Sequence, residues 1–311
     1  MKRGDLLSLD DLTPEQLGQI LDRARELKAR RLSREFLAGQ SLALLFDKPS
    51  LRTRASFDVA MYELGGHVVY LGPDEVGLGR REAIADVARV LSQYVHAIAA
   101  RIGSHQTLEE LARAASVPVI NALSDRSHPC QGLADLLTLR EHFGRLAGIR
   151  LGYIGDGNNI AHTLLSAAGK VGLHLTLASP PGYECDAAAV ERARREAERH
   201  GGSITVTNDP TEAARDADAL YTDVWTSMGQ EDQAAVRRQV FARYRVDREI
   251  LRLARPGALV MHDLPAHRGE EITDEVIDGP QSVVFEQAAN RLHVQKAVLL
   301  WLMVRVDGYV V

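Results

Sequence analysis

Short apolar runs alternate with helix-like spacings through most of this chain, and that rhythm sets the fold class. Residues 42–46, 67–71, 96–102 and 117–123 read as strands, separated by helical patterns near 53–64, 82–94 and 107–115. In the first of these helices Phe57, Ala60, Met61 and Leu64 fall on one face. Strand followed by helix, repeated, is the pattern of βαβ units and hence of a parallel sheet. A further helix, 131–143, runs into Gly144-Arg145-Leu146-Ala147-Gly148, a plausible junction. The rhythm then restarts with strands at 150–154, 173–178, 203–206, 219–224 and 258–262. From about Phe285 the pattern is helical again, with Leu292, Leu299, Leu300 and Met303 apolar. The expectation is an α/β protein with two doubly wound parallel-sheet domains joined by helices, 1–147 and 148–285, and a C-terminal helix, 286–311, that packs back on the first. Ahead of all this, Thr13-Pro14-Glu15-Gln16 has the form of a helix start, with Thr13 as cap and Gln16 placed to close a capping box.

Composition narrows the class without naming a chemistry. The 311 residues suffice for two domains of ordinary size. Hydrophobic residues make up 45% and charged residues 25%, with a net charge of −5, which fits a soluble globular protein and provides no basic surface for nucleic acid. Two cysteines, Cys130 and Cys185, cannot form a disulfide framework or a four-cysteine metal site, so a reducing compartment is expected. The first residues lack the apolar core of a signal peptide, and the richest apolar run, 297–304, is far shorter than the roughly 20 residues of a membrane span. The expected address is the cytoplasm, with neither membrane nor nucleic acid as partner.

Chemistry enters at the strand ends, where parallel α/β sheets bind their ligands. Ser50-Leu51-Arg52-Thr53-Arg54 follows the first strand and opens the next helix. A helix N-terminus carries partial positive charge and unpaired N–H groups, so arginines there are disfavoured unless an anion binds among them. Arg101 and then His105 close the strand at 96–102, and His128-Pro129-Cys130-Gln131 follows the strand at 117–123. Three strand ends thus offer guanidiniums, hydroxyls, an imidazole and an amide. In the second half, Gly155-Asp156-Gly157-Asn158-Asn159 follows a strand and opens a helix. It shares part of a dinucleotide fingerprint, but Ile160 stands where the third glycine belongs. Asp223-Val224-Trp225-Thr226-Ser227-Met228-Gly229 and His262-Asp263-Leu264-Pro265-Ala266-His267-Arg268-Gly269 follow two further strands. One half suits an anion and the other an amine.

These motifs, in this order and spacing, resemble those of the ornithine carbamoyltransferases along nearly the whole chain. Ser50 to Arg54 resembles the family's Ser-Thr-Arg-Thr-Arg, His128 to Gln131 its His-Pro-x-Gln, and Gly157-Asn158-Asn159 its paired asparagines. Asp223 with Ser227-Met228-Gly229 resembles the Asp-x-x-x-Ser-Met-Gly loop, which points to ornithine, and His262 to Gly269 the His-Cys-Leu-Pro-Ala-x-x-Gly stretch. The resemblance implies transfer of the carbamoyl group of carbamoyl phosphate to the side-chain amine of L-ornithine, giving L-citrulline and phosphate, with no cofactor and no metal. It implies carbamoyl phosphate held by Ser50, Leu51, Arg52, Thr53, Arg101, His128, Gln131, Asp263, Leu264 and Arg291, with Arg52, Arg101, His128 and Asp263 as the catalytic set. Asn159, Asp223, Ser227 and Met228 are implied for ornithine. It further implies a homo-oligomer, a trimer with sites at subunit boundaries.

Three positions depart from the family pattern. Leu51 replaces a threonine, which removes a hydroxyl and leaves backbone donors. Asp263 replaces the reactive cysteine, and a carboxylate there stabilises an ammonium, opposing its attack as an amine unless Asp263 is itself protonated. Glu75 falls where the family carries a glutamine that reaches a neighbouring subunit's carbamoyl phosphate, so that Arg80 or Arg81 is the alternative contact. Readings from other classes are a carbamoyltransferase with another amine acceptor, a nicotinamide-dependent dehydrogenase resting on Gly155-Asp156-Gly157, and a non-catalytic carbamoyl phosphate-binding protein on the same scaffold.

Overall fold

The computed structural model describes residues 4–29, 35–227 and 229–304. Nine strands and thirteen α-helices alternate among them, in two compact units: Met1–Leu137 with Asn290–Val311, and Thr138–Ala289. The boundary between the two compact units falls inside a continuous helix, Pro129–Phe143.

In the first unit, helix α1 (Pro14–Ala29) precedes β1 (Ser41–Phe46), α2 (Leu51–Leu64), β2 (His67–Leu71), the short α3 (Pro73–Val76), α4 (Ile84–Tyr94), β3 (Ala97–Arg101), α5 (His105–Ala114), β4 (Val119–Leu123) and α6 (Pro129–Phe143). The capping box at Thr13 forms: the Thr13 N–H donates to Gln16 Oε1 at 2.9 Å and the Gln16 N–H to Thr13 Oγ1 at 3.2 Å. The four strands are all parallel in the order β2-β1-β3-β4. Their apolar runs are continuous because both faces are covered: β1 is buried from Leu42 onward and β3 throughout. Parallel pairing places every strand's carboxyl end at the same edge, with Phe46 opposite Arg101. Between Ala100 and Arg101 the β3–β4 register slips, so that Arg101 pairs with Leu123 and Ala122 is skipped. Irregularities of this kind end pairing and re-aim a side chain.

The second unit holds β5 (Arg150–Ile154), α7 (Asn159–Val171), β6 (His174–Ala178), α8 (Ala187–Arg199), β7 (Ser203–Thr207), α9 (Pro210–Ala214), β8 (Ala219–Thr222), α10 (Ala234–Val240), α11 (Arg248–Leu251), β9 (Leu259–His262) and α12 (Asp274–Ile277). Its sheet is parallel in the order β7-β6-β5-β8-β9, doubly wound as expected, with the switch point at β5 and β8. Strand β8 stops at Thr222, two residues short of the sequence expectation, which frees Asp223 and Val224 to form the loop beyond it.

The last helix, α13 (Val284–Met303), returns to the first unit, as the sequence predicted, and residues 305–311 of that prediction lie outside the described residues. Three polar contacts pin it there besides its apolar face: Lys296 Nζ to Glu63 Oε2 at 2.7 Å, Lys28 Nζ to Asn290 Oδ1 at 2.8 Å, and Arg291 Nη2 to Thr53 Oγ1 at 2.8 Å. Among the described residues no helix is long and apolar enough to cross a membrane.

In the second unit, α9 crosses β5 so closely that a Cβ on Gly152 would lie 2.1 Å from the Ala213 carbonyl oxygen. Backbone atoms cannot withdraw as a side chain can. Gly152→Ala is therefore expected to destabilise by about 1–3 kcal/mol, the range for overpacking, as read in denaturant unfolding of the purified chain.

Candidate active site

In the first unit the candidate residues gather at the carboxyl edge of the β2-β1-β3-β4 sheet. Ser50 caps α2, its Oγ facing the Thr53 N–H at 3.4 Å, so the helix begins within the Ser50–Arg54 motif. Thr53 is buried under α13 and receives the Arg291 hydrogen bond, while Arg52 is half-buried and Leu51 stands out into solvent, 80% exposed. Arg54 turns away, with its guanidinium 3.7 Å from the Tyr70 ring centroid. The loop after β1 is tied to β3 by Asp47, whose N–H donates to the Arg101 carbonyl at 3.0 Å and whose Oδ2 accepts from the Gly103 N–H at 2.6 Å.

His128 opens α6 and is buried, with its carbonyl accepting from the Gln131 and Gly132 N–H groups at 2.9 and 3.1 Å. The turn that carries it is held by Asn121, a polar residue inside β4. Its Nδ2 donates to the Ser127 carbonyl at 3.1 Å and to the Leu7 carbonyl at 2.8 Å. Burial, and then the positive charges of Arg291, Arg101 and Arg52, hold the His128 imidazole well below its ordinary pKa. It is a neutral ring among three guanidiniums. Gln131 is fully buried and donates through Nε2 to Asp135 Oδ1 at 2.8 Å. A carboxylate accepts only, which fixes the amide orientation and leaves Gln131 Oε1 without a hydrogen bond among the described residues.

Glu75 lies in the loop from Gly72 to Arg81. Its carboxylate folds back onto the Gly72 N–H as the capping group of α3, while Arg81 Nη1 donates to the Glu75 carbonyl at 3.3 Å.

In the second unit the candidate residues lie at the carboxyl edge of its own sheet. Asn158 caps α7 through its Oδ1, which accepts from the Ile160 and Ala161 N–H groups at 2.9 and 3.2 Å, and its Nδ2 donates to Asp223 Oδ2 at 2.6 Å. Asp223 is buried and also accepts from the Val224 N–H at 2.7 Å through Oδ1. Asn159 is the first residue of the helix and half-buried. Ser227 lies in a turn closed by Gln230, whose N–H donates to the Ser227 carbonyl at 3.1 Å, and Met228 lies outside the described residues. The loop's other anchor went unread in the sequence. Arg237 is buried, and its Nη1 donates both to Asp156 Oδ2 at 3.0 Å and to the Trp225 carbonyl at 2.8 Å.

His262 ends β9, fully buried, with Nε2 3.0 Å from Glu271 Oε1. The backbone at Leu264 is left-handed, φ 59°, which turns the Leu264 N–H onto His262 Nδ1 at 2.9 Å. Burial opposes a charge on this ring, but Asp263 and Glu271 outweigh burial and raise its pKa to about 9. The Leu264 contact argues otherwise. A nitrogen that accepts a backbone N–H has no proton of its own, so this geometry requires the neutral ring with its proton on Nε2, directed to Glu271.

Asp263 is half-buried beside this ring, its Oδ1 3.5 Å from Nδ1. Donor atoms of Asp223, His262 and Asp263 lie within 4.8 Å of one another, close enough to invite a cation. The set fits one poorly, because Nδ1 is engaged by Leu264 and both Asp223 oxygens by N–H donors.

The first unit thus gathers guanidiniums, a neutral imidazole and an amide at one sheet edge, and the second gathers carboxyl groups, amides and an imidazole at the edge of its own. Residues 4–141 match the family model "Aspartate/ornithine carbamoyltransferase, carbamoyl-P binding domain", and residues 147–302 match its "Asp/Orn binding domain". The chain belongs to the aspartate/ornithine carbamoyltransferase family. It is 51% identical over 306 residues to the ornithine carbamoyltransferase of Pyrococcus abyssi, covering 97% of this chain and 96% of that protein. It is 55% identical over 305 residues to that of Acidothermus cellulolyticus, covering 97% of each. Among solved structures, the ornithine carbamoyltransferase from Pyrococcus furiosus superposes with a TM-score of 0.93 at 50% identity over 96% of both chains. The anabolic enzyme from Campylobacter jejuni reaches the same TM-score at 36% identity, over 96% of this chain and 99% of that one.

For this family member, the Gly155-Asp156-Gly157 stretch has a local explanation. A Cβ on Gly157 would lie 2.4 Å from the Cys185 nitrogen, so the glycine admits the chain's own backbone, and the dinucleotide motif loses its support.

A neutral His128 has a consequence for stability. Its folded pKa lies below the unfolded value of about 6.5, so the unfolded chain takes up the proton first, and stability falls as pH drops below about 6.5. His128→Asn is expected to flatten that acid slope in thermal unfolding, and the His128 ring to show no protonation in NMR titration from pH 8 down to about 5.5.

Proposed function

We propose that this chain is an ornithine carbamoyltransferase, transferring the carbamoyl group of carbamoyl phosphate to the side-chain amine of L-ornithine. The observation that carries the reading is the full-length match to proteins bearing that name, across both family domains and with the Asp223, Ser227, Gly229 loop pattern intact. The domain division at 147/148 expected from sequence is kept, with the helix from 286 assigned to the carbamoyl phosphate side.

Ser50, Leu51 through its backbone, Arg52 and Thr53 hold the phosphate at the start of α2. Arg291, bonded to Thr53, reaches the same anion from α13. Arg101 and the neutral His128 donate to the carbonyl oxygen, where negative charge builds as the carbon becomes tetrahedral. Gln131 Oε1, buried and without a hydrogen bond of its own among the described residues, accepts from the carbamoyl NH₂. Asp263 and Leu264 line the carbamoyl end. Asn159, Asp223, Ser227 and Met228 hold the α-amino and α-carboxylate groups of ornithine. The amine nitrogen bonds to the carbamoyl carbon, the carbon–oxygen bond to phosphate breaks, and the amine's surplus proton leaves with the phosphate. Carbamoyl phosphate is already activated, so the chemistry calls for no cofactor.

The working unit in this reading is a homo-oligomer, a trimer by family resemblance, and its address is the cytoplasm. An apolar surface on the first unit supports self-association: Leu51, Val59 and Tyr62 recur at helical spacing along the outside of α2, with Val69 on β2 and Val90 and Tyr94 on α4 also exposed. Arg80 and Arg81, rather than the self-capping Glu75, are the residues of the 72–81 loop available to a neighbour's anion.

Incubation with carbamoyl phosphate and ornithine is expected to yield citrulline and phosphate in equal amounts. Formation of carbamoylated putrescine, aspartate or acetylornithine instead transfers the activity to another acceptor, and phosphate-site binding without turnover on any amine reduces the chain to a binding protein. Arg101→Met is expected to lower kcat by about 10²–10³, as for loss of an oxyanion donor. In light scattering, Val59→Glu combined with Tyr62→Glu is expected to convert the oligomer to monomer; an unchanged mass removes α2 from the interface.

A further inference from the structure

Asp135 lies one turn along α6 from Gln131, and that four-residue spacing puts both side chains on one face of the helix. Both are buried. Gln131 Nε2 donates to Asp135 Oδ1 at 2.8 Å, and because a carboxylate has acceptors only, the amide meets it with its NH₂ end. Oε1 is left for another partner. It makes no hydrogen bond among the described residues, and a buried acceptor in that state is costly until a donor reaches it. Gln131 also belongs to the turn opened by His128, the neutral imidazole on which the charges of Arg291, Arg101 and Arg52 bear. Guanidiniums are donors and suit oxygens. Gln131 Oε1 adds an acceptor to the same turn.

We propose that Asp135 is a positioning residue that sets the acyl specificity of this unit: by holding Gln131 as an acceptor, it selects an acyl phosphate whose carbonyl carbon bears an N–H donor and rejects one that bears a second oxygen. The role rests on carbamoyl phosphate being the ligand of this unit. A carbamoyl group and its carboxyl counterpart have nearly the same shape and differ at one position, NH₂ against O⁻. Arginines alone prefer the wrong one, because an added oxygen anion satisfies guanidiniums better than a neutral amide does. Shape does not correct that preference. A fixed acceptor does, since it meets the second oxygen with like partial charge and the NH₂ with a hydrogen bond. A glutamine without Asp135 is free to turn over and donate to the second oxygen, so the direction of the amide is information that Gln131 lacks by itself. Gln131 touches the substrate, and Asp135 acts only through Gln131.

Two inert analogues test this by calorimetry in the absence of any amine: phosphonoacetamide, which carries the NH₂, and phosphonoacetate, which carries the second oxygen. Asp135→Asn offers Gln131 a donor as well as an acceptor and so lets the amide reverse. The preference for phosphonoacetamide over phosphonoacetate is expected to fall by about 10–100-fold. Losing a negative charge also favours phosphonoacetate without any turn of the amide, so the same exchange is made in a Gln131→Met chain, where the fall is expected to be at least about tenfold smaller. Equal falls in both chains, or a preference that Asp135→Asn leaves unchanged, overturn the role of Asp135 while carbamoyl phosphate stands as the ligand. If Asp135→Asn does not fold, NMR of the unaltered chain labelled with ¹⁵N-glutamine decides. The Gln131 NH₂ protons, assigned by their loss in Gln131→Met, are expected to be protected from solvent exchange with and without phosphonoacetamide, and free exchange in both states overturns the hold of Asp135. Binding of neither analogue to the unaltered chain removes the carbamoyl phosphate reading and the role of Asp135 with it.

Discussion

Concentrated positive charge at the start of one helix is the constraint around which the first half of this protein is built. Helix α2 begins where β1 ends, and its partial positive charge already disfavours cations; the sequence nevertheless places Arg52 there and brings Arg101 and Arg291 within reach of the same imidazole. Such a cluster is tolerable only if nothing else nearby carries positive charge and an anion can be admitted. His128 meets the first condition by staying neutral. Thr53 and Ser50 commit their hydroxyls to holding α13 and the helix cap, so the loop is shaped independently of any ligand. The anchoring of α13 has the same logic. Lys296 and Lys28 are each given a specific partner, Glu63 and Asn290, while Arg291 on the same helix is spent on the site.

The second half applies the opposite rule. Acids accumulate beyond the ends of β5, β8 and β9, and each is managed by a different device: Asp156 by the buried Arg237, Glu271 by the Nε2 proton of His262, and Asp223 by Asn158 and the Val224 N–H. The ring of His262 accepts a backbone hydrogen bond on one side and donates on the other, which fixes the course of the chain through Leu264. Acids gathered at one sheet edge without such partners would repel one another.

Much of the scaffold was legible from hydrophobic runs, because a parallel sheet covered on both faces writes its strands as uninterrupted apolar segments. All nine strands fall where such runs predicted them, with ends moved by one or two residues. The motif residues were legible because unusual chemistry at strand ends stands out against that apolar background. What escaped was support supplied across sequence distance. Nothing local marks Arg237 as the partner of Asp156, or Asp135 as the orienting group of Gln131. Asn158 and Asn159 are adjacent and chemically identical, and only the backbone geometry of a helix cap distinguishes them. Asn121 did leave a signal, a polar residue in the middle of an apolar strand, which in a buried position obliges a hydrogen-bonding role. Counting along the loop left Glu75 against Arg80 or Arg81, and only the structure shows that this carboxylate, three residues into a short helix, satisfies its own cap.

The exchange of a cysteine for Asp263 shows why position within a motif is not enough to infer a residue's effect. A thiol and a carboxyl group differ by a full charge when the acid is ionised, and a full charge beside a nucleophilic amine opposes its deprotonation. The difference largely disappears if the acid enters a pair that already contains a carboxyl group and carries one proton between the two. The charge of such a site is set by the pair and not by either member, so replacing a neutral residue by an acid can leave the electrostatics of the site nearly where they were.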